Sequence, residues 1–206
     1  LGVVALAPLE PAQRWAALLH DAGKPPTRSV DAQGEVHFYG HEAVSLEIAE
    51  RILRRLKAPH GLIGRVLALV KHHGTHPGPE WGDAACRRFL RHLQEDGLPL
   101  SEWAAFRLAD MLGKGFGEEP YRGGHAAILA RLESLEAAKP PLSVKALALD
   151  GRALMALAGR PGGPWLGDLQ KRLLDIVIED PAKNTPGVLS RIAASALKNA
   201  DSPAGP

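Results

Sequence analysis

The chain has 206 residues, 45% of them hydrophobic and 23% charged, with a formal net charge of +2. That balance excludes a disordered polymer and supplies apolar content for one large packed core or two small ones. No uninterrupted apolar run reaches the roughly 18–20 residues that a membrane helix needs, so no membrane span is expected.

A single cysteine, Cys86, excludes an internal disulfide framework and fits a reducing compartment, read here as the cytoplasm. The opening stretch, Leu1 to Pro8, is apolar and has no basic residue before Arg14, so it lacks the positive start of a secretion signal. The chain opens on Leu1, not on Met. A charge of +2 gives no global attraction to nucleic acid, although Arg and Lys can still cluster locally.

Taken in chain order, the apolar spacing is helical almost throughout. Trp15, Leu18 and Leu19 share one side of residues 9–20, which predicts a helix running into His20-Asp21. Residues 22–26 (Ala-Gly-Lys-Pro-Pro) predict its stop, since Gly and paired prolines do not continue a helix. Residues 28–30 and 35–38, joined by a polar turn at 31–34, predict one short hairpin. Val44, Leu46, Ile48, Ala49, Ile52, Leu53 and Leu56 form a wide apolar stripe that predicts a helix over 41–57, ended by Pro59.

Further helices are predicted over 62–73, 83–95, 100–112 and 123–138. Lys139-Pro140-Pro141 then suggests a boundary. Beyond it, helices are predicted over 150–157, 164–179 and 185–198, with Asp150 and Thr185 as N-caps. The expectation is a mainly α chain: a helical bundle with one short β-hairpin over residues 1–138, a small helical tail over 139–200, and a frayed end at 201–206.

Chemistry concentrates in four polar clusters in the first 115 residues: His20-Asp21, His41-Glu42, His72-His73 and Asp110. Imidazole and carboxylate donors together suit divalent ions, and bundles build such sites from facing helices. A carboxylate among apolar neighbours, as Asp110 is between Ala109 and Met111, needs a partner. His37, His60, His76, His92 and His125 are read as ordinary surface or core histidines. Cys86 has no companion for a thiolate site, and the glycines at Gly113-Lys114-Gly115 and Gly162-Gly163 lack a strand–helix phosphate loop. Lys24 follows the His-Asp pair closely enough to meet a phosphate at any metal site.

The run Leu18-Leu19-His20-Asp21-Ala22-Gly23-Lys24 resembles the signature of the HD-domain metal-dependent phosphohydrolases. Joined to Pro25-Pro26-Thr27-Arg28, Val36-His37-Phe38-Tyr39-Gly40-His41-Glu42 and Leu69-Val70-Lys71-His72-His73, it resembles the HD region of bacterial tRNA nucleotidyltransferases, the CCA-adding enzymes. Residues 149–155, 161–167 and Asn184-Thr185 are similar to that family's C-terminal part, so the likeness covers nearly the whole chain. It implies an HD-type bundle followed by an RNA-binding tail.

It also implies His20, Asp21 and Asp110 as metal ligands, together with His41 and one or both of His72 and His73, and Asp21 as the catalytic residue. Lys24 and Arg28 would meet substrate phosphate. One or two divalent ions (Mn, Ni, Fe, Mg or Zn) are expected, together with hydrolysis of 2′,3′-cyclic phosphates or of nucleotide and RNA-end phosphates.

Two departures qualify the likeness. HD proteins carry a further ligating His upstream of the pair, and no His occurs in residues 1–19. Nothing in the chain resembles the head domain that adds nucleotides, so that domain is expected to be absent from it. The alternative reading is the tRNA-binding body and tail of a split or truncated CCA-adding enzyme with a non-catalytic HD fold. Arg152, Arg160, Lys171, Arg172, Arg191 and Lys198 would then touch RNA phosphate, although a solvated helix face is the plainer reading of most of them.

Overall fold

The structure is a computed structural model that describes residues 2–114 and 118–201. Of the expected frayed end, residues 202–206 lie outside that range, as does Gly115 of the Gly-Lys-Gly stretch. Two compact units are present, Leu1–Glu80 with His92–Glu133, and Trp81–Arg91 with Ser134–Pro206.

The first unit opens with α1 (Gly2–Leu6), a short helix the sequence reading did not single out, and α2 (Pro11–Leu19). Glu10 starts α2 by accepting the Gln13 amide at 3.1 Å, with Pro11 in the first turn where no amide hydrogen is needed. The helix does end before residues 22–26, and a further element follows there. A one-turn helix, α3 (Lys24–Thr27), begins there, because proline in a first turn has no hydrogen bond to lose.

The hairpin follows as β1 (Ser29–Val30) and β2 (Val36–His37), antiparallel with Val30 opposite Val36. Next come α4 (His41–Arg55), α5 (His60–His72), α6 (Asp83–Glu95), α7 (Leu100–Gly113) and α8 (Glu118–Ala137). The boundary between the two units falls within α6 and again within α8.

In this unit α5 packs against α2 and α4, and α7 packs against α1 and α2. Leu53, Val66, Leu69, Val70, Trp103 and Phe106 are fully buried between them, each contributing about 1.5–3 kcal/mol of transfer free energy. Two polar donors caught inside find backbone acceptors: the Trp103 indole donates to the His72 carbonyl at 3.2 Å, and Gln13 Nε2 donates to the Glu102 carbonyl at 3.0 Å. The core therefore fixes α2, α5 and α7 against one another where the polar clusters lie.

The second unit contains α9 (Gly151–Ala158), α10 (Pro164–Glu179) and α11 (Pro186–Asp201) around Leu154, Leu173, Val177, Ile178 and Leu189. Asp150 caps α9 by accepting the Ala153 amide at 2.8 Å, and Thr185 Oγ1 accepts the Val188 amide at 3.4 Å. Asn184 ties the approach to α9 in both directions, accepting from Ala148 N at 2.8 Å and donating to Ala146 O at 3.0 Å. Arg87 donates to the carbonyls of Ile178 and Glu179 at 2.6 and 2.9 Å, satisfying the open C-terminal end of α10. Cys86 is buried and takes part in no disulfide. Among the described residues no helix is long and apolar enough to cross a membrane.

Candidate metal centre

Three helix ends and one helix side bring the polar clusters together in the first unit. His20 is the C-cap of α2 and His73 the C-cap of α5, while His41 is the first residue of α4. Asp21 follows His20 in the turn before α3, and Asp110 projects from the last part of α7.

The three imidazoles share one device. His20 Nδ1 lies 3.1 Å from the Ala17 carbonyl, His41 Nδ1 2.9 Å from that of Phe38, and His73 Nδ1 2.6 Å from that of Val70. Each partner is three residues back, and at the ends of α2 and α5 such carbonyls have no helical amide to accept. The contact occupies Nδ1 and leaves Nε2 as the nitrogen that faces the centre, as in a metal-ligating histidine held by its other nitrogen.

The free nitrogens converge on carboxylates. His20 Nε2 is 3.3 Å from Asp21 Oδ2 and 3.2 Å from Asp110 Oδ1. His41 Nε2 and His73 Nε2 are each 3.6 Å from Asp21 Oδ1. Asp21, His41 and His73 each offer a donor atom within 4.8 Å of the other two.

Separations of 3.2–3.6 Å suit donors that share an ion at about 2.0–2.2 Å. His20 Nε2 and Asp110 Oδ1 are buried, and neither has a hydrogen-bond partner among the described residues. Two buried polar atoms without a hydrogen-bond partner at the heart of a cluster of imidazoles and carboxylates suit a cation there, so the donor set fits a divalent ion.

The outer oxygens are held by lysines. Lys24 Nζ donates to Asp21 Oδ2 at 2.6 Å, and Lys114 Nζ donates to Asp110 Oδ2 at 2.8 Å. Burial alone would push the His20 imidazolium pKa down, but the Asp110 and Asp21 carboxylates override it and raise it to about 9. Burial would raise Asp110, yet His20 and Lys114 lower it to about 2. Asp21 is also held well below the usual carboxylate range, against its burial, by His20, His73 and Lys24. Both carboxylates are thus ionised at neutral pH.

Gly23 lets this assembly close. A Cβ there would stand 2.3 Å from the His41 carbonyl oxygen and 2.7 Å from the Ser45 amide nitrogen, and the Gly23 amide donates to Ser45 Oγ at 2.9 Å. Only the absence of a side chain allows the turn after Asp21 to press against the first turns of α4.

Of the predicted ligands, His20, Asp21, His41, His73 and Asp110 come together, whereas His72 does not. Its Nε2 lies 2.6 Å from Asp96 Oδ2, with Lys71 on the same carboxylate at 2.8 Å. One residue along a helix turns a side chain by roughly 100°, so neighbouring histidines cannot both face one centre. Burial lowers the His72 pKa more than Asp96 raises it.

Lys24 borders the cluster, its Nζ also 5.8 Å from the Phe38 ring centroid. Arg28 is exposed at the start of the hairpin. Lys114, which the sequence reading passed over, was discoverable as the i+4 partner of Asp110 on one helix face.

Comparison with known proteins agrees with this geometry. Residues 11–112 match the HD domain family, a span that contains all five converging residues. The chain is 37% identical over 169 residues to the A-adding tRNA nucleotidyltransferase of Deinococcus radiodurans, covering 79% of this chain and 36% of that protein. It is 40% identical over 176 residues to the CC-adding tRNA nucleotidyltransferase of Thermus thermophilus, covering 84% of this chain and 37% of that one. A multifunctional CCA protein of Azoarcus sp. is 35% identical over 136 residues, which is 60% of this chain and 31% of that protein.

The chain thus spans about a third of the length of these curated relatives. No solved structure matches it significantly. From the matched segment and the centre built within it, the chain belongs to the HD-domain family and is related, over the segment they share, to the tRNA nucleotidyltransferases.

Proposed function

We propose that this chain is a divalent-metal-dependent phosphohydrolase acting on 2′,3′-cyclic phosphates or on nucleotide and RNA-end phosphates. The observation that carries the reading is the meeting of three Nε2 atoms, each freed by an Nδ1 contact to a backbone carbonyl, with two ionised carboxylates. In this reading His20, Asp21, His41, His73 and Asp110 are the metal ligands. A bound divalent cation supplies a lowered pKa for an attacking water and neutralises charge on the phosphoryl group.

The protein's own groups do the rest. Asp21 turns Oδ1 toward the centre while Lys24 holds Oδ2, so the ionised oxygen accepts a hydrogen bond from the attacking water and aims it. Lys24, and Arg28 reaching in from solvent, bind the phosphoryl oxygens that are not attacked. Water adds across the P–O bond, and the leaving oxygen departs with a proton.

The test pairs metal analysis of the purified protein with an assay on 2′,3′-cyclic AMP. Bound divalent ion and hydrolysis, both abolished by Asp21→Ala, are expected. A protein that binds no divalent ion and cleaves no cyclic phosphate refutes the proposal.

The names of the relatives favour a second reading for the C-terminal helices, contact with tRNA. Arg152, Arg160, Lys171, Arg172, Arg191 and Lys198 are all exposed. If they meet RNA phosphate, tRNA affinity falls steeply as salt rises, and an affinity independent of salt removes this reading.

A further inference from the structure

The hairpin before α4 is ordered without serving the core. Each strand has two residues, and Ser29, Val30 and Val36 are all exposed. Its order comes from Asp31, whose Oδ1 accepts the amides of Gln33 and Glu35 at 2.9 Å each and whose Oδ2 lies 2.7 Å from His37 Nε2. Held in this way, the His37 ring lies nearly parallel to Tyr39, with an interplanar angle of 13° and centroids 4.9 Å apart.

Tyr39 is 77% exposed, so the ring face turned away from His37 is open to solvent. An aromatic pair that is pre-stacked, pinned by a carboxylate and left uncovered is a flat π surface without an occupant. Its position matters. Tyr39 precedes His41 by two residues, which keeps their Cα atoms within about 7 Å, and the ring of neighbouring Phe38 lies 5.8 Å from Lys24 Nζ. The platform is thus two residues from one candidate ligand and adjoins the residue whose ring lies by Lys24.

We propose that Tyr39, backed by His37 and positioned through Asp31, is the stacking platform for the nucleobase of the substrate whose phosphate reaches the metal centre. The inference rests on the phosphohydrolase reading above and names its substrate class as nucleotides. Every base has a π face, so such a platform selects nucleotides over base-free phosphate esters and discriminates little among bases.

The probe is 2-aminopurine riboside 2′,3′-cyclic phosphate, whose fluorescence is quenched by stacking. It is titrated into the full chain, once in EDTA and once with Mg²⁺. The original protein and Tyr39→Phe are expected to quench it, whereas Tyr39→Ala binds it about 5- to 100-fold more weakly, with the quench lost.

In a second arm, Tyr39→Ala lowers the ratio of kcat/KM for 2′,3′-cyclic AMP over that for glycerol 1,2-cyclic phosphate by a similar factor. Absence of quenching by the original protein, or unchanged affinity and ratio in Tyr39→Ala, overturns the platform. Hydrolysis of the glycerol ester by the original protein reports on the phosphohydrolase reading separately, so the two failures are distinguishable.

Discussion

Gly23→Ala puts one methyl group where the turn after Asp21 meets α4. Its Cβ would lie 2.3 Å from the His41 carbonyl oxygen, a backbone atom that cannot swing aside as a side chain can. Relief to an ordinary contact of about 3.4 Å displaces the two segments by about 1 Å, at the point where Asp21 Oδ1 and His41 Nε2 stand 3.6 Å apart. Ligand distances at metal sites tolerate only about 0.2 Å.

The substitution therefore costs about 1–3 kcal/mol of overpacking and about 1 kcal/mol if the hydrogen bond from Gly23 to Ser45 Oγ is lost. Because both segments carry donors, a drop in metal affinity of about 10- to 100-fold is expected, as for lost outer-shell support. Urea unfolding in EDTA measures the first effect and calorimetric titration with Mn²⁺ or Zn²⁺ the second. A Gly23→Ala protein with stability and metal affinity like the original would refute the claim that close approach at this glycine sets the site.

Three other outcomes are expected. His73→Ala should lose at least tenfold in metal affinity, while His72→Ala keeps its metal and loses about 1–3 kcal/mol from the broken Asp96 pair; metal analysis with urea unfolding separates them. In metal-free protein His20 titrates at about 9. Its raised pKa stabilises the fold fully below pH 6.5, and that contribution is lost as pH rises through 9. An incoming ion must displace the same proton, so apparent metal affinity should climb between pH 7 and 9 and then level; a flat profile over that range contradicts the protonated His20. Leu173→Ala, which empties a fully buried position in the C-terminal unit, should destabilise that unit by about 2–5 kcal/mol in denaturant unfolding.

The helices were legible because burial imposes a period. The stripe from Val44 to Leu56 marks α4, and α6 and α10 fall at their expected residues. The first turn of α3 was not legible, since the same prolines that end a helix also suit its start. At the site, residue types and order drew attention to His20, Asp21, His41 and Asp110.

The choice between His72 and His73 was closed to the sequence, because it depends on the rotation of α5 and on Asp96, which arrives from 24 residues away. Gly23 read only as a helix breaker, and its contact with α4 exists only once two distant segments fold together. The Nδ1 contacts escaped for a related reason: spacing reveals a histidine at a helix end, but not which nitrogen faces inward.

The two lysines alter the electrostatics of the pocket. Asp21 and Asp110 are already matched in charge by Lys24 and Lys114 on their outer oxygens, so a dication seated among neutral imidazoles keeps its two positive charges uncancelled. On the proposed reading, a phosphomonoester, at about −1.5 to −2 at pH 7, would offset that charge more fully than a 2′,3′-cyclic phosphate, which carries a single negative charge. The same scaffold without its lysine guards would be neutral once loaded; with them it would hold an anion beside the ion more strongly.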